Sequence, residues 1–95
     1  MRTALSFDDV LLVPQYSEIE SRKQILIKQN LRSVGNFSLP IISSPMDTVT
    51  GESMACAMDS AGGVGIIHRY NDMEDQAKIV MNVTSAGHNV GAAIG

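Results

Sequence analysis

The chain has 95 residues, 44% of them hydrophobic, and a formal charge of −3; it is one small domain or a piece of a larger one. Its seven Lys and Arg are scattered, which argues against a nucleic-acid partner, because phosphate binding needs clustered cations. No apolar run reaches the roughly 18 residues of a membrane span, and the single cysteine gives neither a disulfide framework nor a metal-site cysteine spacing.

In chain order, Met1-Arg2-Thr3-Ala4 leads into Phe7-Asp8-Asp9 with no apolar signal core, so the default compartment is the cytoplasm. Val10–Val13 is an apolar block ended by Pro14, a short strand or one helical turn that would cover part of a larger core. Asp8 and Asp9 just before it could be acid/base carboxylates, but such a pair is more often a solvated cap. Gln24–Gln29 is β-branched and roughly alternating, and reads as an exposed strand, with a hairpin in view. Ser33-Val34-Gly35-Asn36 is turn chemistry.

Leu39–Ile42 is a short apolar run entered through Pro40. A continuously apolar strand is buried on both faces, as in a parallel sheet covered by helices. Such folds place their chemistry where strands end, so Ser43, Ser44, Met46 and Asp47 stand at the expected hub. Thr50 is the expected N-cap of a first helix, with Glu52 in its positively polarised first turn. Met54, Ala57, Met58 and Ala61 make its apolar stripe, and Gly62-Gly63 stops it. Cys56, mid-helix among small apolar residues, reads as a buried and inert thiol.

Val64–His68 is a second strand. Asn71 with Glu74 three places on gives a capping box for a second helix, whose inner face is Met73, Ala77, Val80, Met81 and Thr84. Gly87 ends it, and Asn89–Gly95 is a third strand. The order β-α-β-α-β predicts an α/β fold of parallel crossover units, which both the doubly wound sheet and the (β/α)8 barrel use. Gly62, Gly63 and Gly65 fail as a dinucleotide loop, since His68 stands where the third glycine would and the glycines precede a strand. This favours the barrel. A TIM barrel needs about 250 residues, so residues 1–95 are expected to be an incomplete, N-terminal portion: three parallel strands and two helices after a strand or hairpin region. Open strand edges predict poor folding of this segment by itself.

Ser6-Phe7-Asp8-Asp9-Val10-Leu11-Leu12-Val13-Pro14, then Pro40-Ile41-Ile42-Ser43-Ser44-Pro45-Met46-Asp47-Thr48-Val49-Thr50, then Gly62-Gly63-Val64-Gly65-Ile66-Ile67-His68 resemble the start of the inosine monophosphate dehydrogenase and GMP reductase family. The resemblance implies a barrel that assembles as a homotetramer and binds a purine nucleotide. The dehydrogenases oxidise IMP to XMP with NAD and need potassium. In them a cysteine on a later loop attacks purine C2, hydride passes to NAD, and the covalent intermediate is hydrolysed. The reductases convert GMP to IMP with NADPH and release ammonia.

By position in the motif, Ser44 and Met46 match residues that contact the nucleotide. Asp47 would orient their loop, and His68 would support the active-site rim. No catalytic residue and no metal ligand are expected in this segment: Cys56 is not the nucleophile, and the cation loop would lie beyond Gly95. The second helix runs directly to the third strand without the CBS insert of most dehydrogenases, which leans towards the reductases. Ser-Pro-Met is the dehydrogenase wording where reductases carry Ala-Asn-Met, and it is given more weight. The NAD-dependent dehydrogenase is thus the expected function; the reductase with NADP, or a truncated, non-catalytic nucleotide-binding relative, is the alternative.

Overall fold

In the computed structural model, which describes residues 1–32 and 34–95, the regular elements are β1 (Gln29–Leu31), β2 (Gly35–Phe37), β3 (Ile42–Ser43), α1 (Glu52–Ser60), β4 (Val64–Ile67), α2 (Met73–Ser85) and β5 (Gly91–Ala92). Strands β3, β4 and β5 form a parallel sheet in that order. Ile42 lies opposite Val64, Ser43 opposite Gly65, Ile66 opposite Gly91 and Ile67 opposite Ala92. Each crossover is a helix, and α1 packs on both β4 and α2. The expected α/β order of three parallel strands and two helices is what forms.

The β-branched run of β4 supplies the centre. Val64 and Ile67 are fully buried, and Ile67 clusters with Ala55 of α1 and Val83 of α2. Cys56, Ile79, Val80 and Val90 pack against that cluster. Close approach of α1 to the sheet requires Gly65: a Cβ there would stand 2.9 Å from Ala55 Cα, 3.2 Å from Ser43 Oγ and 3.2 Å from Thr50 Cγ2. This bears out the reading of that glycine as a close-packing residue.

Both helices stop in the same way. After α1, Gly62 (φ +97°) donates to Asp59 O at 3.0 Å and Gly63 to Met58 O at 2.9 Å. After α2, Gly87 (φ +89°) donates to Thr84 O at 3.0 Å and His88 to Val83 O at 3.2 Å. Each is a Schellman stop, with glycine at the left-handed position that other residues enter only with strain.

Several local expectations shift. The N-cap of α1 is Gly51, not Thr50, whose hydroxyl turns into the sheet. The N-cap of α2 is Asp72, which accepts from Asp75 N at 2.9 Å, and Asn71 is engaged elsewhere. The inward face of α1 is Ala55 flanked by half-buried Cys56 and Met58, whereas Met54, Ala57 and Ala61 are exposed. On α2 it is Val83 with half-buried Gln76, Ile79 and Val80, whereas Met73, Ala77, Met81 and Thr84 are exposed. Those four, with Val80, line an open groove alongside Ala93 and Ile94. Helix α2 carries apolar residues on two faces, and packing against α1, β5 and the buried Ile67 selects the one with the β-branched pair Ile79 and Val83.

The hairpin exists but lies further along than expected. β1 and β2 pair antiparallel, with Asn30 opposite Asn36 and their side chains bonded at 2.6 Å. Only Gln29 of the expected strand takes part, because Ile25–Ile27 have no partner strand among the described residues. Ser33, at the head of the expected turn, lies outside the described residues. Phe37 of β2 is buried beside an apolar crevice formed with Leu31, Pro40 and Ile42. The arm before β1 holds two 3-10 turns, Phe7–Asp9 and Arg22–Gln24. Val10–Val13 cover no core here: their exposures are 45%, 94%, 97% and 74%. Ile41 and Ile42 are likewise about half exposed, not buried on both faces, because β3 has β4 on one edge only among the described residues.

Candidate functional site

The C-terminal ends of β3, β4 and β5 lie side by side, and the segment after each strand is tied to its neighbour. β3 ends at Ser43, and Pro45 cannot donate to a ladder. The chain folds back at once: Met46 N–H donates to Ser44 O at 2.8 Å, and Val49 and Thr50 N–H both return to Met46 O, at 2.9 and 3.0 Å. Ser44, Met46 and Asp47 are therefore brought together on one exposed turn at a strand end. Met46 leaves 52% of its surface open, a soft thioether available to a ligand. Among the described residues no hydrogen bond involves the Asp47 side chain.

Beneath this turn sits Thr50, fully buried. Its Oγ1 lies 2.6 Å from Ser44 O and 2.8 Å from Ser43 Oγ. Its carbonyl accepts from His68 N at 3.2 Å, joining the end of β4 to the end of β3.

His68 comes directly after β4 and is half buried. Tyr70 N–H donates to its Nδ1 at 3.2 Å. A backbone N–H can only donate, so Nδ1 is an acceptor and the neutral ring carries its proton on Nε2. The ring stands 6.3 Å from that of Tyr70, over which the Arg69 guanidinium lies at 5.4 Å. Asn71 Nδ2 donates to His68 O at 3.2 Å and to Gln76 Oε1 at 2.7 Å, and Gln76 Nε2 donates to Ala93 O at 3.1 Å. One hydrogen-bonded path thus runs across all three strand ends, through Ser43, Thr50, His68, Asn71, Gln76 and Ala93.

Sequence reasoning missed Thr50, Asn71 and Gln76 as parts of this rim. The signal was there: each is a short or amide-bearing polar residue within one turn of a strand end or helix start. Asp9, the other carboxylate singled out, is a cap far along the arm. It accepts from Ser6 N at 2.9 Å and Ser6 Oγ at 3.0 Å, and these two donors, the backbone one first, hold its carboxyl below the ordinary aspartate value.

The rim presents hydrogen-bonding groups and a thioether, and among the described residues none of them is an activated nucleophile. No serine or cysteine is hydrogen-bonded to a histidine among the described residues, and a nucleophile needs its base within that reach. No cluster of three His, Cys, Asp or Glu there could hold a metal ion. Cys56 is half buried on α1 against the core cluster, less enclosed than expected. No helix among the described residues is long and apolar enough to cross a membrane.

Comparison with known proteins agrees with this geometry. Residues 4–94 match the family model described as IMP dehydrogenase / GMP reductase domain. The chain is 48% identical over 86 residues to an inosine-5'-monophosphate dehydrogenase of Nitrosopumilus maritimus, covering 90% of this chain and 18% of that protein. It is 40% identical over 82 residues to a GMP reductase of Leishmania donovani, covering 86% of this chain and 17% of that protein. Among solved structures, a GMP reductase from Trypanosoma brucei in complex with guanosine 5'-triphosphate superposes with a TM-score of 0.76 at 42% identity, covering 90% of this chain and 20% of that one. The chain spans about a fifth of the length of these relatives.

Proposed function

Because the chain belongs to the IMP dehydrogenase / GMP reductase family, we propose that residues 1–95 form the N-terminal, nucleotide-gripping portion of a (β/α)8 barrel, and that the whole protein is an oxidoreductase converting IMP to XMP with NAD. The barrel reading is supported by strand order: β3, β4 and β5 are neighbours in sequence order with both helices packed together, as successive staves of a cylinder are. The grip is the exposed turn after β3. The Ser44 hydroxyl can bond a phosphate or ribose oxygen, and the Met46 thioether can lie against a purine face. Asp47 stands exposed on the same turn, its carboxylate open to a ligand hydroxyl.

His68 presents a fixed Nε2–H edge at the next strand end, which suits the rim of a dinucleotide site. The dinucleotide supplies the hydride acceptor when bound; this chain's residues only hold and orient the nucleotide beside it. The nucleophile and the potassium site belong to loops outside residues 1–95. The whole protein acts as a homotetramer in the cytoplasm.

The observation that carries this reading is the Ser44–Val49 turn, folded at a parallel-strand end with Ser44 and Met46 exposed together. The whole protein incubated with IMP, NAD and potassium should form NADH. A second reading, GMP reductase, is favoured by the likeness to the trypanosomatid reductases and by the direct passage from α2 to β5. Oxidation of NADPH on adding GMP, with no NADH from IMP, would decide for it. Absence of both reactions would overturn the proposal.

A further inference from the structure

We propose that Thr50 is a positioning residue, a buried clasp that presets the Ser44–Met46 turn for nucleotide binding; this rests on the reading of that turn as the grip. Thr50 is fully buried, and every polar atom it has is used. Its N–H goes to Met46 O at 3.0 Å, its carbonyl accepts from His68 N at 3.2 Å, and its hydroxyl meets Ser44 O at 2.6 Å and Ser43 Oγ at 2.8 Å. The hydroxyl has one proton. A carbonyl can only accept, so the proton points to Ser44 O, and Ser43 donates to Thr50 in turn.

The side chain of Thr50 has an alternative use at this position, and the structure does not take it. A threonine at the start of a helix ordinarily caps it. Here Gly51 is the N-cap and no side chain caps α1. The hydroxyl is directed to the turn, and the Cγ2 methyl packs beside Gly65. A β-branched side chain so held has a narrow choice of χ1, which fixes the direction of the hydroxyl. A turn ordered before the ligand arrives loses no affinity to ordering on binding.

The test is nucleotide binding by the whole protein, measured by calorimetry with IMP and GMP as probes, alongside thermal unfolding and the KM for the dinucleotide. Thr50→Val keeps the Cγ2 methyl and puts a second methyl in place of the hydroxyl, so both hydroxyl bonds are lost; it should raise the nucleotide Kd about tenfold, on the scale of the net worth of a hydrogen bond, with the dinucleotide KM unchanged. Thr50→Ser restores the hydroxyl and should return the Kd to within about threefold of the parent. An unchanged Kd in Thr50→Val, or a Kd as weak in Thr50→Ser as in Thr50→Val, overturns the clasp and leaves Thr50 as packing alone.

Should Thr50→Val not fold, Ser43→Ala removes only the outer donor and should weaken binding about threefold; no change there also overturns the clasp. Ser44→Ala and Met46→Ala separate the two claims. If neither weakens binding, the grip itself fails and the clasp with it. If they do and Thr50→Val does not, only the clasp fails.

Discussion

The imidazole of His88 and the carboxylate of Asp59, 29 positions apart, meet with Nδ1 2.8 Å from Oδ2. Asp59 lies in the last turn of α1 and His88 just past the stop of α2, so the contact rivets the two helix ends where the strands begin. Both side chains are about a quarter exposed, 25% and 23%. We expect His88→Ala and Asp59→Ala each to cost about 1 kcal/mol. A double-mutant cycle on the whole protein, read by denaturant unfolding, should return a coupling of roughly 0.5–1.5 kcal/mol. A coupling of zero would mean the contact is an idle neighbour.

Gly65→Ala should damage stability and the Thr50 contacts together. The added methyl would press on the backbone of α1 at Ala55 and on both Ser43 and Thr50. Backbone cannot move as a side-chain tip can, so a loss of about 1–3 kcal/mol is expected. Because the same methyl crowds Thr50, nucleotide affinity should fall with stability. Melting and calorimetry on one preparation check both.

Asp9 carries a pH signature. Its carboxyl is held below the ordinary value of 3.8 by the Ser6 N–H first and the Ser6 hydroxyl second. A lowered value in the folded state means the capping contribution is present above the unfolded value and is lost as pH falls through the folded one. An NMR titration of the Asp9 side chain should therefore show a midpoint below 3.8, and Ser6→Ala, which deletes the hydroxyl but keeps the backbone N–H, should move it part of the way back up. A midpoint at or above 3.8 in the parent would dissolve the cap, and one that does not respond to Ser6→Ala would remove the hydroxyl's share of it.

Cys56 gives a fourth test, because the proposed reaction would use a cysteine and this one is in the wrong place for it. It packs on the α1–β4–α2 core and not at a strand end. Cys56→Ala should leave kcat of the whole protein unchanged and cost about 1 kcal/mol of stability. A collapse of turnover with stability intact would make it a participant.

The elements most legible in the sequence were those with strong punctuation. β4 was readable as Val64–His68, one residue longer than the Val64–Ile67 that forms, and each helix end was readable from its glycine. The orientation of the helices was not, because Met73, Ala77 and Met81 are as periodic as Ile79 and Val83, and only contact with α1, β5 and Ile67 chooses between them. The hairpin was displaced for a related reason: Ile25-Leu26-Ile27 has the composition of a strand, but pairing needs a neighbour, and Asn30 opposite Asn36 supplied one. At the site, the exposed pair Ser44 and Met46 fell where the motif put them. Thr50 was misread because a threonine before a helix serves equally as a cap, and its true partners lie six and seven positions back, beyond local pattern.

The matching Schellman stops of α1 and α2 sit at the end of the sheet opposite the Ser44–Val49 turn. Chain length added at Gly87–Val90 would therefore hang beside the Asp59–His88 contact, at the far end of the sheet, and would leave the shape of the Ser44–Val49 turn undisturbed.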